Sequence, residues 1–263
     1  MSVTLRWTVV VLLSLLVSTP AIAETREERR VADATVVLDE LLRIPERSIP
    51  PALLSSAYAV AVVPNVVKLG FGIGARRGKG ILVVRQGDNA WSSPSFITMT
   101  GGSIGWQLGA QATDVILVFR TRKSVDRIAE GKFTLGADAS VAAGPVGRHT
   151  GVATDLRFEA EVVSYSRSRG LFAGVAFEGA GLSMDRRANA AFYGTTSMTP
   201  EEIFASSPSI APEIADGFLQ VLTTQASRTP AEPSAVPEAQ PVSIEDDSPS
   251  EVRTFGLPEP DET

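Results

Sequence analysis

The stretch KLGFGIGARRGKG, residues 68–80, stands before the apolar run Ile81–Val84 and contains five glycines and four cationic side chains. Its first half alternates glycine with the apolar residues Leu69, Phe71 and Ile73, and this period of two is typical of a β-strand. Because RRGKG combines turn-forming glycines with charge and another strand-like run follows it, we predict that RRGKG is the tip of a β-hairpin. The tip would present Arg76, Arg77 and Lys79 to a partner.

Two nucleotide-binding motifs nearly match this stretch, and both fail. A P-loop would need a glycine where Ile73 stands and a hydroxyl residue where Gly80 stands. The dinucleotide pattern G-x-G-x-x-A occurs from Gly70 to Ala75, but it must open a helix, and here a second strand pattern follows. We therefore expect no nucleotide partner and no nucleotide cofactor.

The period of two continues through most of the chain. Short strand-like runs, separated by Pro, Gly, Asn and Asp, are expected at 58–63, 67–74, 80–85, 95–100, 104–110, 115–119, 133–141, 156–165 and 171–177. Helical patterns flank these runs. They are expected from the capping box Thr25–Glu28 to the residue before Pro45, at 50–56, at 124–129 with Ser124 as the N-cap, at 200–206 after a capping box that begins at Thr199, and at 212–224. The sequence predicts an α+β fold: an antiparallel β-sandwich or barrel-like sheet of short strands with flanking N- and C-terminal helices.

Both ends of the chain have compositions of their own. Residues 1–23 carry one cation, an apolar core and the triplet Ala21-Ile22-Ala23, which predicts a secretory signal peptide cleaved near Ala23 and hence a periplasmic or secreted protein. Residues 229–263 are rich in Pro, Glu and Ser and poor in aromatic residues, which predicts a disordered acidic tail. A single domain is expected at 24–228.

Charge is distributed unevenly along the chain. From Glu24 to Met198 there are 21 Lys and Arg against 17 Asp and Glu, whereas from Thr199 onward there are 2 against 13. The predicted domain is therefore basic over most of its length, which favours an anionic partner. With one histidine and no cysteine, and without a calcium-loop spacing of carboxylates, we predict no metal site.

One motif carries an enzymatic alternative. Gly101–Gly105 fits the G-x-S-x-G nucleophile elbow with Ser103 as nucleophile, and Asp126 or Asp138 and then His149 follow in the hydrolase order. An elbow needs a helix after the serine, but glycine-punctuated strand pattern follows here. We therefore favour a protein that is not an enzyme, and a serine hydrolase remains an alternative.

A set of motifs in fixed order resembles a known family. SYSRSRGLFAGVAFEGAGLSMDRRANAAFYG, which ends at Gly194, closely resembles the C-terminal signature of the SYLF (DUF500) domain family. Three earlier stretches agree with that family in order: VVPNVVKLGFGIGARRGKGILVVR, WSSPSFITMTGGSIGWQLGAQATDVILVF and LGADASVAAGPVGRHTG. The resemblance covers about Ile49 to Gly194.

The resemblance implies membrane-lipid binding without catalysis. Members in eukaryotes carry the domain beside Src-homology or FYVE modules and are known for binding phosphoinositides and, in some fungal members, actin. Because this chain has a predicted signal peptide and no companion domain, the expected ligand is an anionic phospholipid such as phosphatidylglycerol or cardiolipin.

Eleven residues are predicted to contact the anionic membrane surface, by charge or by apolar insertion. They are Lys68, Arg76, Arg77, Lys79, Arg167, Arg169, Arg186, Arg187, Phe71, Leu171 and Phe172. The alternative is a cell-envelope scaffold that binds protein or peptidoglycan. No nucleic-acid partner is expected.

Overall fold

The structure of the protein is a computed structural model that describes residues 24–43, 49–87, 90–105, 111–131, 133–144, 160–168, 171–173, 177–207 and 210–227. Of residues 69–73, 103–105, 111 and 171–173 it describes the backbone. The predicted signal peptide, the predicted acidic tail, Arg169 and His149 lie outside the described residues.

Helices flank a group of eight strands in the described ranges. The helices are α1 (Arg26–Leu42), α2 (Pro51–Ser55), α3 (Arg122–Ala129), α4 (Arg186–Tyr193), α5 (Pro200–Ala205) and α6 (Ile214–Ala226). The strands are β1 (Ala59–Val84), β2 (Ser95–Gly105), β3 (Gln111–Phe119), β4 (Phe133–Thr134), β5 (Val141–Ala143), β6 (Val162–Ser168), β7 (Leu171–Ala173) and β8 (Ala180–Met184). The predicted α+β class with a barrel-like sheet is confirmed.

Helix α1 begins as its sequence predicts. Thr25 and Glu28 form a reciprocal capping box: the Thr25 hydroxyl accepts from the Glu28 N–H at 3.1 Å, and Glu28 Oε2 accepts from the Thr25 N–H at 2.6 Å. The apolar residues at helical spacing are buried, namely Val31, Ala34, Val37, Leu38, Leu41 and Leu42. Each leucine buried in this way contributes about 1.5–3 kcal/mol relative to an exposed one. Burial of this face holds α1 against the sheet.

The strands form one curled sheet in the order β4-β8-β2-β1-β3-β6-β5, and β7 also pairs with β6. Most neighbours are antiparallel, as predicted, but β5 and β6 run parallel. The expectation of a purely antiparallel sheet is therefore wrong at this edge. A parallel pair needs a long connection, and residues 144–161 between the two strands provide it.

Strand β1 is a 26-residue run that folds back on itself. Straight, it would span about 86 Å at about 3.3 Å per residue, yet the Arg85 N–H donates to the Tyr58 carbonyl at 2.7 Å. The first arm pairs with β3 as far as Lys68, and the second arm pairs with β2 from Gly72 onward. The chain therefore reverses direction near residues 69–71.

This reversal corrects the predicted hairpin tip. Arg76 to Gly80 lie within the second arm, in register with β2 from Gly101 to Ile97, and are not a turn. The two glycines of RRGKG serve close packing instead. A Cβ on Gly80 would overlap the Val62 carbonyl oxygen, and one on Gly78 would lie 2.7 Å from a Val63 methyl group.

Apolar side chains cover both faces of the sheet. One face, here called the helix face, packs against α1, α2, α4 and α6 and contains alternate residues of the central strands, including Val62, Ile81, Ile116 and Tyr165. The opposite face packs against α3 and contains residues such as Val63, Leu82 and Leu117. Successive side chains of a strand point to opposite faces. Residues an even number of positions apart on one central strand therefore share a face, and here they are said to have the same parity.

Two local predictions were wrong, and one helix was not predicted. The run 133–141 is broken by a turn at Gly136, whose φ of 86° suits glycine, so that only Phe133–Thr134 belongs to β4. Helix α3 begins two residues earlier than predicted, after Thr121, and Ser124 lies inside it. Helix α4 was not predicted. Its alanine-rich sequence has no helical period of apolar residues, and it follows a strand-like run. No helix in the described ranges is both long and apolar enough to span a membrane.

A basic cleft between the first helix and the sheet

The cations of RRGKG point to different faces of the sheet. Arg77 and Lys79 are exposed and share the parity of Ile81, which puts them on the helix face. Arg76 has the opposite parity: its Nε donates to the Gly102 carbonyl at 3.0 Å. Of the three cations predicted to act together, the structure brings two together.

Arg76 is held on its own side of the sheet. Its guanidinium carbon lies 5.5 Å from the centre of the Phe177 ring, a cation–π contact with a buried aromatic residue. This contact and the bond to Gly102 give Arg76 partners within the domain, and its charge does not add to the group on the helix face.

Lys79 is joined to α4 through Asp185. Lys79 Nζ lies 2.9 Å from Asp185 Oδ2, and Arg30 Nη1 of α1 lies 3.5 Å from the same oxygen. Asp185 is also the N-cap of α4, since its Oδ1 accepts from the Ala188 N–H at 3.2 Å. One carboxylate thus connects β1, α1 and the start of α4.

These contacts set the ionisation of Asp185. Burial by itself would raise the pKa of its carboxyl group, but the hydrogen bonds from Lys79 and the Ala188 N–H, with the charges of Lys79 and Arg30, lower it further than burial raises it. The net pKa lies below the usual value, so Asp185 is a carboxylate at neutral pH.

Beside this junction lies a cleft of about 280 Å³, here called the basic cleft. Its walls are formed by α1 on one side and by β1 on the other, and its lining residues are Arg26, Arg29, Arg30, Asp33, Pro64, Asn65 and Lys79. The four residues from α1 have the spacing i, i+3, i+4 and i+7, which places them on one side of the helix. Four cations and one carboxylate give the lining an excess of positive charge.

The floor of the basic cleft is a break in the β1–β3 ladder. The register shifts between Val63 and Val66, because Pro64 has no N–H to donate and Asn65 adopts a positive φ of 49°. The Asn65 N–H donates instead to Asp114 Oδ1 at 2.9 Å. The bulge bends β1 at the point where the cations of α1 face it.

Three of the lining cations have acidic neighbours and one has none in the described residues. Arg30 and Lys79 share Asp185, and Arg29 Nε lies 3.6 Å from Glu24 Oε2 in an exposed pair. Arg26 forms no ion pair with a described residue. Exposed pairs such as Arg29 with Glu24 are weak in water, so Arg26 and Arg29 remain available to an anion, whereas the Arg30 side chain is mostly buried beside Asp185.

Arg186 and Arg187 extend the basic surface past Asp185. They are the first two residues of α4, and both side chains are exposed. Cations in the first turn oppose the helix dipole, and neither arginine forms an ion pair within the described ranges. Their charges therefore do not stabilise the helix that carries them.

The other predicted contact residues lie elsewhere. Arg167 pairs with Glu40 of α1, and its Nε lies 3.4 Å from Asp114 Oδ2, so it connects α1 to the sheet. Lys68 is half-buried on β1 and has the parity of Val66, on the face opposite the helices.

The predicted apolar contacts can be placed only by their backbone. Phe71 lies in β1 near its reversal, and Leu171 and Phe172 lie in β7, where Phe172 is in register with Arg167. Their side chains are outside what the structure describes.

The sequence reasoning missed the cations of α1. The run REERR at 26–30 contains both signs of charge, so the polar face of the predicted helix looks mixed and not cationic. A projection along the helix axis puts Arg26, Arg29, Arg30 and Asp33 on one side, with Glu27 outside that set. That projection is the signal that would have found them.

The nucleophile-elbow alternative lacks its structural context. Gly101–Gly105 is the end of strand β2, with Ser103 in register with Gly74 of β1. The elbow requires a turn into a helix directly after the serine. His149, the base of that alternative, lies outside the described residues.

Comparison with known proteins identifies the family. The Ysc84 family, described as "Las17-binding protein actin regulator", matches residues 100–225. Protein YSC84 of Saccharomyces cerevisiae is 34% identical over 207 residues, which are 78% of this chain and 43% of that protein.

Vertebrate proteins named after YSC84 are also similar to this chain. SH3 domain-containing YSC84-like protein 1 is 37% identical over 160 residues in Xenopus laevis, which are 60% of this chain and 48% of that protein. The human protein of the same name is 34% identical over 197 residues, which are 73% of this chain and 57% of that protein. This chain spans about half the length of these relatives. The chain belongs to the Ysc84 family, the SYLF family that its motifs resemble.

Proposed function

We propose that the domain binds anionic phospholipid surfaces through the basic cleft and the cations beside it. The observation that carries the proposal is the meeting of Arg26, Arg29 and Arg30 of α1 with Lys79 of β1 around one cleft. Asp33 is the one carboxylate among the residues that line the cleft, so the lining keeps an excess of positive charge, and such an excess attracts anions. The lipid binding that the family resemblance implies supports the same ligand.

The charge contribution alone is small. A cation near an anionic membrane contributes about 1 kcal/mol, so Arg26, Arg29, Arg77 and Lys79 together contribute about 4 kcal/mol. That free energy corresponds to a dissociation constant of about 1 mM. Stable binding needs apolar insertion as well, and we propose Phe71, Leu171 and Phe172 for that contribution.

The test compares two charge reversals of equal size. Arg26→Glu/Arg77→Glu changes the surface around the basic cleft, and Arg122→Glu/Lys123→Glu changes α3 on the other side of the sheet. Arg26 and Arg122 are both the first residue of a helix, where glutamate is favourable, so neither variant should unfold. Co-sedimentation with vesicles of phosphatidylcholine containing phosphatidylglycerol, against phosphatidylcholine alone, measures binding.

The first variant should lose most of its binding to the anionic vesicles, and the second should keep it. Binding of the unaltered protein should weaken as salt rises from 50 to 300 mM, because salt screens exposed charges. Equal pelleting of both variants, or binding that salt does not change, would contradict the proposal.

Protein binding is a second candidate, favoured by the names of the relatives. The family description refers to Las17 binding, and one yeast relative is named LAS seventeen-binding protein 3. For this chain we expect any such partner to be an envelope protein or peptidoglycan, since residues 1–23 predict export. Two results together would favour this candidate. The chain would recover a partner in a pull-down from envelope extract, and its binding to vesicles would not depend on their lipid composition.

Export is itself a proposal. We expect the mature protein, cleaved near Ala23, in the periplasmic or secreted fraction. Fractionation of cells that express the chain with and without residues 1–23 tests this, and equal retention of both forms in the cytoplasm would contradict it.

A further inference from the structure

A second cavity, of about 290 Å³, opens beside the basic surface between α4 and α5. Arg186 and Ala190 of α4 form one wall, and the loop from Thr195 to Thr199 with Glu201 of α5 forms the other. Here it is called the hydroxyl pocket, because four of its lining residues are threonine or serine. Arg186 directly follows Asp185, the partner of Lys79, so the pocket adjoins the residues of the basic cleft.

Half of the polar groups of the pocket shape the loop. The hydroxyls of Thr195 and Ser197 lie 3.0 Å apart and bond to each other. Thr199 is the N-cap of α5, and its hydroxyl accepts from the Glu202 N–H at 3.3 Å. These bonds hold the loop in one conformation.

Three polar groups of the pocket have no partner among the described residues. The Arg186 guanidinium, the Thr196 hydroxyl and the Glu201 carboxylate make no hydrogen bond or ion pair there, although all three are exposed to the cavity. Glu202, and not Glu201, completes the capping box of α5. The pocket therefore offers one cation, one anion and one hydroxyl to a ligand.

The chemistry of these groups selects a class of ligand. A guanidinium binds a phosphate through two parallel N–H donors, and a carboxylate accepts only from donors such as hydroxyl groups. No aromatic or large aliphatic side chain lines the pocket apart from Met198, so it does not suit an acyl chain. A phosphate ester with free hydroxyl groups satisfies both charged groups at once.

From this arrangement we infer that the hydroxyl pocket binds the headgroup of a polyhydroxylated phospholipid such as phosphatidylglycerol. Arg186 takes the phosphate, and Glu201 and Thr196 take the hydroxyl groups. The inference rests on the proposed membrane function and adds headgroup selectivity to it. The basic cleft supplies attraction to negative charge of any kind, and the hydroxyl pocket distinguishes among lipids of equal charge.

The test uses two lipids of equal charge. Phosphatidylglycerol and phosphatidylethanol each carry one negative charge, but only the first has headgroup hydroxyls. The unaltered protein should bind vesicles containing phosphatidylglycerol about fivefold more tightly, the effect of about one net hydrogen bond. Thr196→Val should bring the ratio of the two affinities close to one and leave binding to phosphatidylethanol unchanged. Glu201→Gln should also bring this ratio close to one. Because Glu201→Gln removes a negative charge, its general effect on binding to anionic vesicles is measured against Glu213→Gln.

Matched controls are available on exposed positions away from the pocket. Glu213→Gln before α6 and Thr224→Val within α6 make the same chemical changes, and both residues are exposed. They should leave the lipid ratio of the unaltered protein intact. If the control variants also lost the preference for phosphatidylglycerol over phosphatidylethanol, that preference could not be assigned to this pocket.

The remaining outcomes separate the inference from the proposed function. Equal binding of both lipids by the unaltered protein would overturn the hydroxyl pocket and leave the basic cleft standing. A Glu201→Gln variant that binds both lipids more tightly by the same factor, with the ratio of affinities unchanged, would show that the carboxylate acts only as a charge, which also overturns the inference. Titration with glycerol 3-phosphate in solution completes the test: binding of that ester without a vesicle preference would identify a free solute as the ligand, and binding of neither lipid nor ester would overturn both proposals.

Discussion

Lys79 Nζ and Asp185 Oδ2 lie 2.9 Å apart and join strand β1 to the start of α4 across 106 positions of sequence. Arg30 of α1 reaches the same carboxylate. The Asp185 side chain is 11% exposed, so its loss leaves two cations facing a partly desolvated position. The junction holds together the three elements that surround the basic surface.

Asp185→Asn should lower the free energy of unfolding by about 1–2 kcal/mol, because hydrogen bonds to charged groups become neutral ones. Asp185→Ala should cost about 1 kcal/mol more, because alanine cannot cap α4. Urea unfolding followed by circular dichroism measures both. Asp216→Asn, at an exposed position in the first turn of α6, is the control. Equal midpoints for the two asparagine variants would contradict the role of Asp185.

The contribution of Asp185 should depend on pH. Because its pKa is lower in the folded protein than its usual value of 3.8, the carboxylate stabilises the fold above that value. The contribution is lost as the pH falls through the folded pKa. The difference in unfolding free energy between the unaltered protein and Asp185→Asn should be constant from pH 5 to 7 and shrink below about pH 4. A difference that grows toward acid would refute this prediction.

Gly80→Ala should destabilise the fold by about 2–3 kcal/mol, through forced displacement of backbone in a packed sheet. A Cβ there would overlap the Val62 carbonyl oxygen and lie 2.7 Å from the Val63 Cα. Gly102→Ala on the neighbouring strand is the control, because its Cβ would meet no atom within 4 Å. Thermal or urea unfolding of the two variants measures the difference. Tolerance of alanine at both positions would argue that residues 76–80 form a turn after all.

Arg167→Ala separates a structural role from a lipid contact. The sequence predicts that Arg167 binds lipid, whereas its ion pairs with Glu40 and Asp114 connect α1 to the sheet. We expect a loss of about 1–3 kcal/mol in unfolding free energy, because two carboxylates lose a partner. Vesicle binding by the folded variant should be unchanged. Weakened vesicle binding at unchanged stability would restore the lipid assignment.

Two local signals of the sequence are confirmed by the structure. The capping boxes at Thr25 and Thr199 begin α1 and α5 as predicted, and the period of two in the apolar runs locates the central strands. These features depend on residues within one helical turn or one strand of each other, so a short contiguous segment of sequence is enough to predict them. The motif set that resembles the SYLF family is likewise readable without coordinates, and it identified the family correctly.

The glycines of RRGKG show why reading a turn from sequence failed. A glycine indicates either a turn or a close approach by another segment, and neighbouring letters do not distinguish the two. Gly80 is required by the backbone of Val62, eighteen positions earlier, once β1 has folded back. The reversal itself falls at 69–71, inside the alternating run that looked most like uninterrupted strand.

The amino-acid sequence by itself determined the periods of the central strands and flanking helices, the family of the chain and the excess of basic residues. Each of these depends on neighbours along the chain or on composition. Tertiary structure alone decided which cations lie close together. It separated Arg76 from Arg77 and Lys79 by strand parity, joined Arg167 to Glu40, and brought Arg26, Arg29 and Arg30 to Lys79. The physical reason is that an electrostatic surface depends on distances in space, and those distances are set by how α1 packs on a sheet whose strands come from all along the chain.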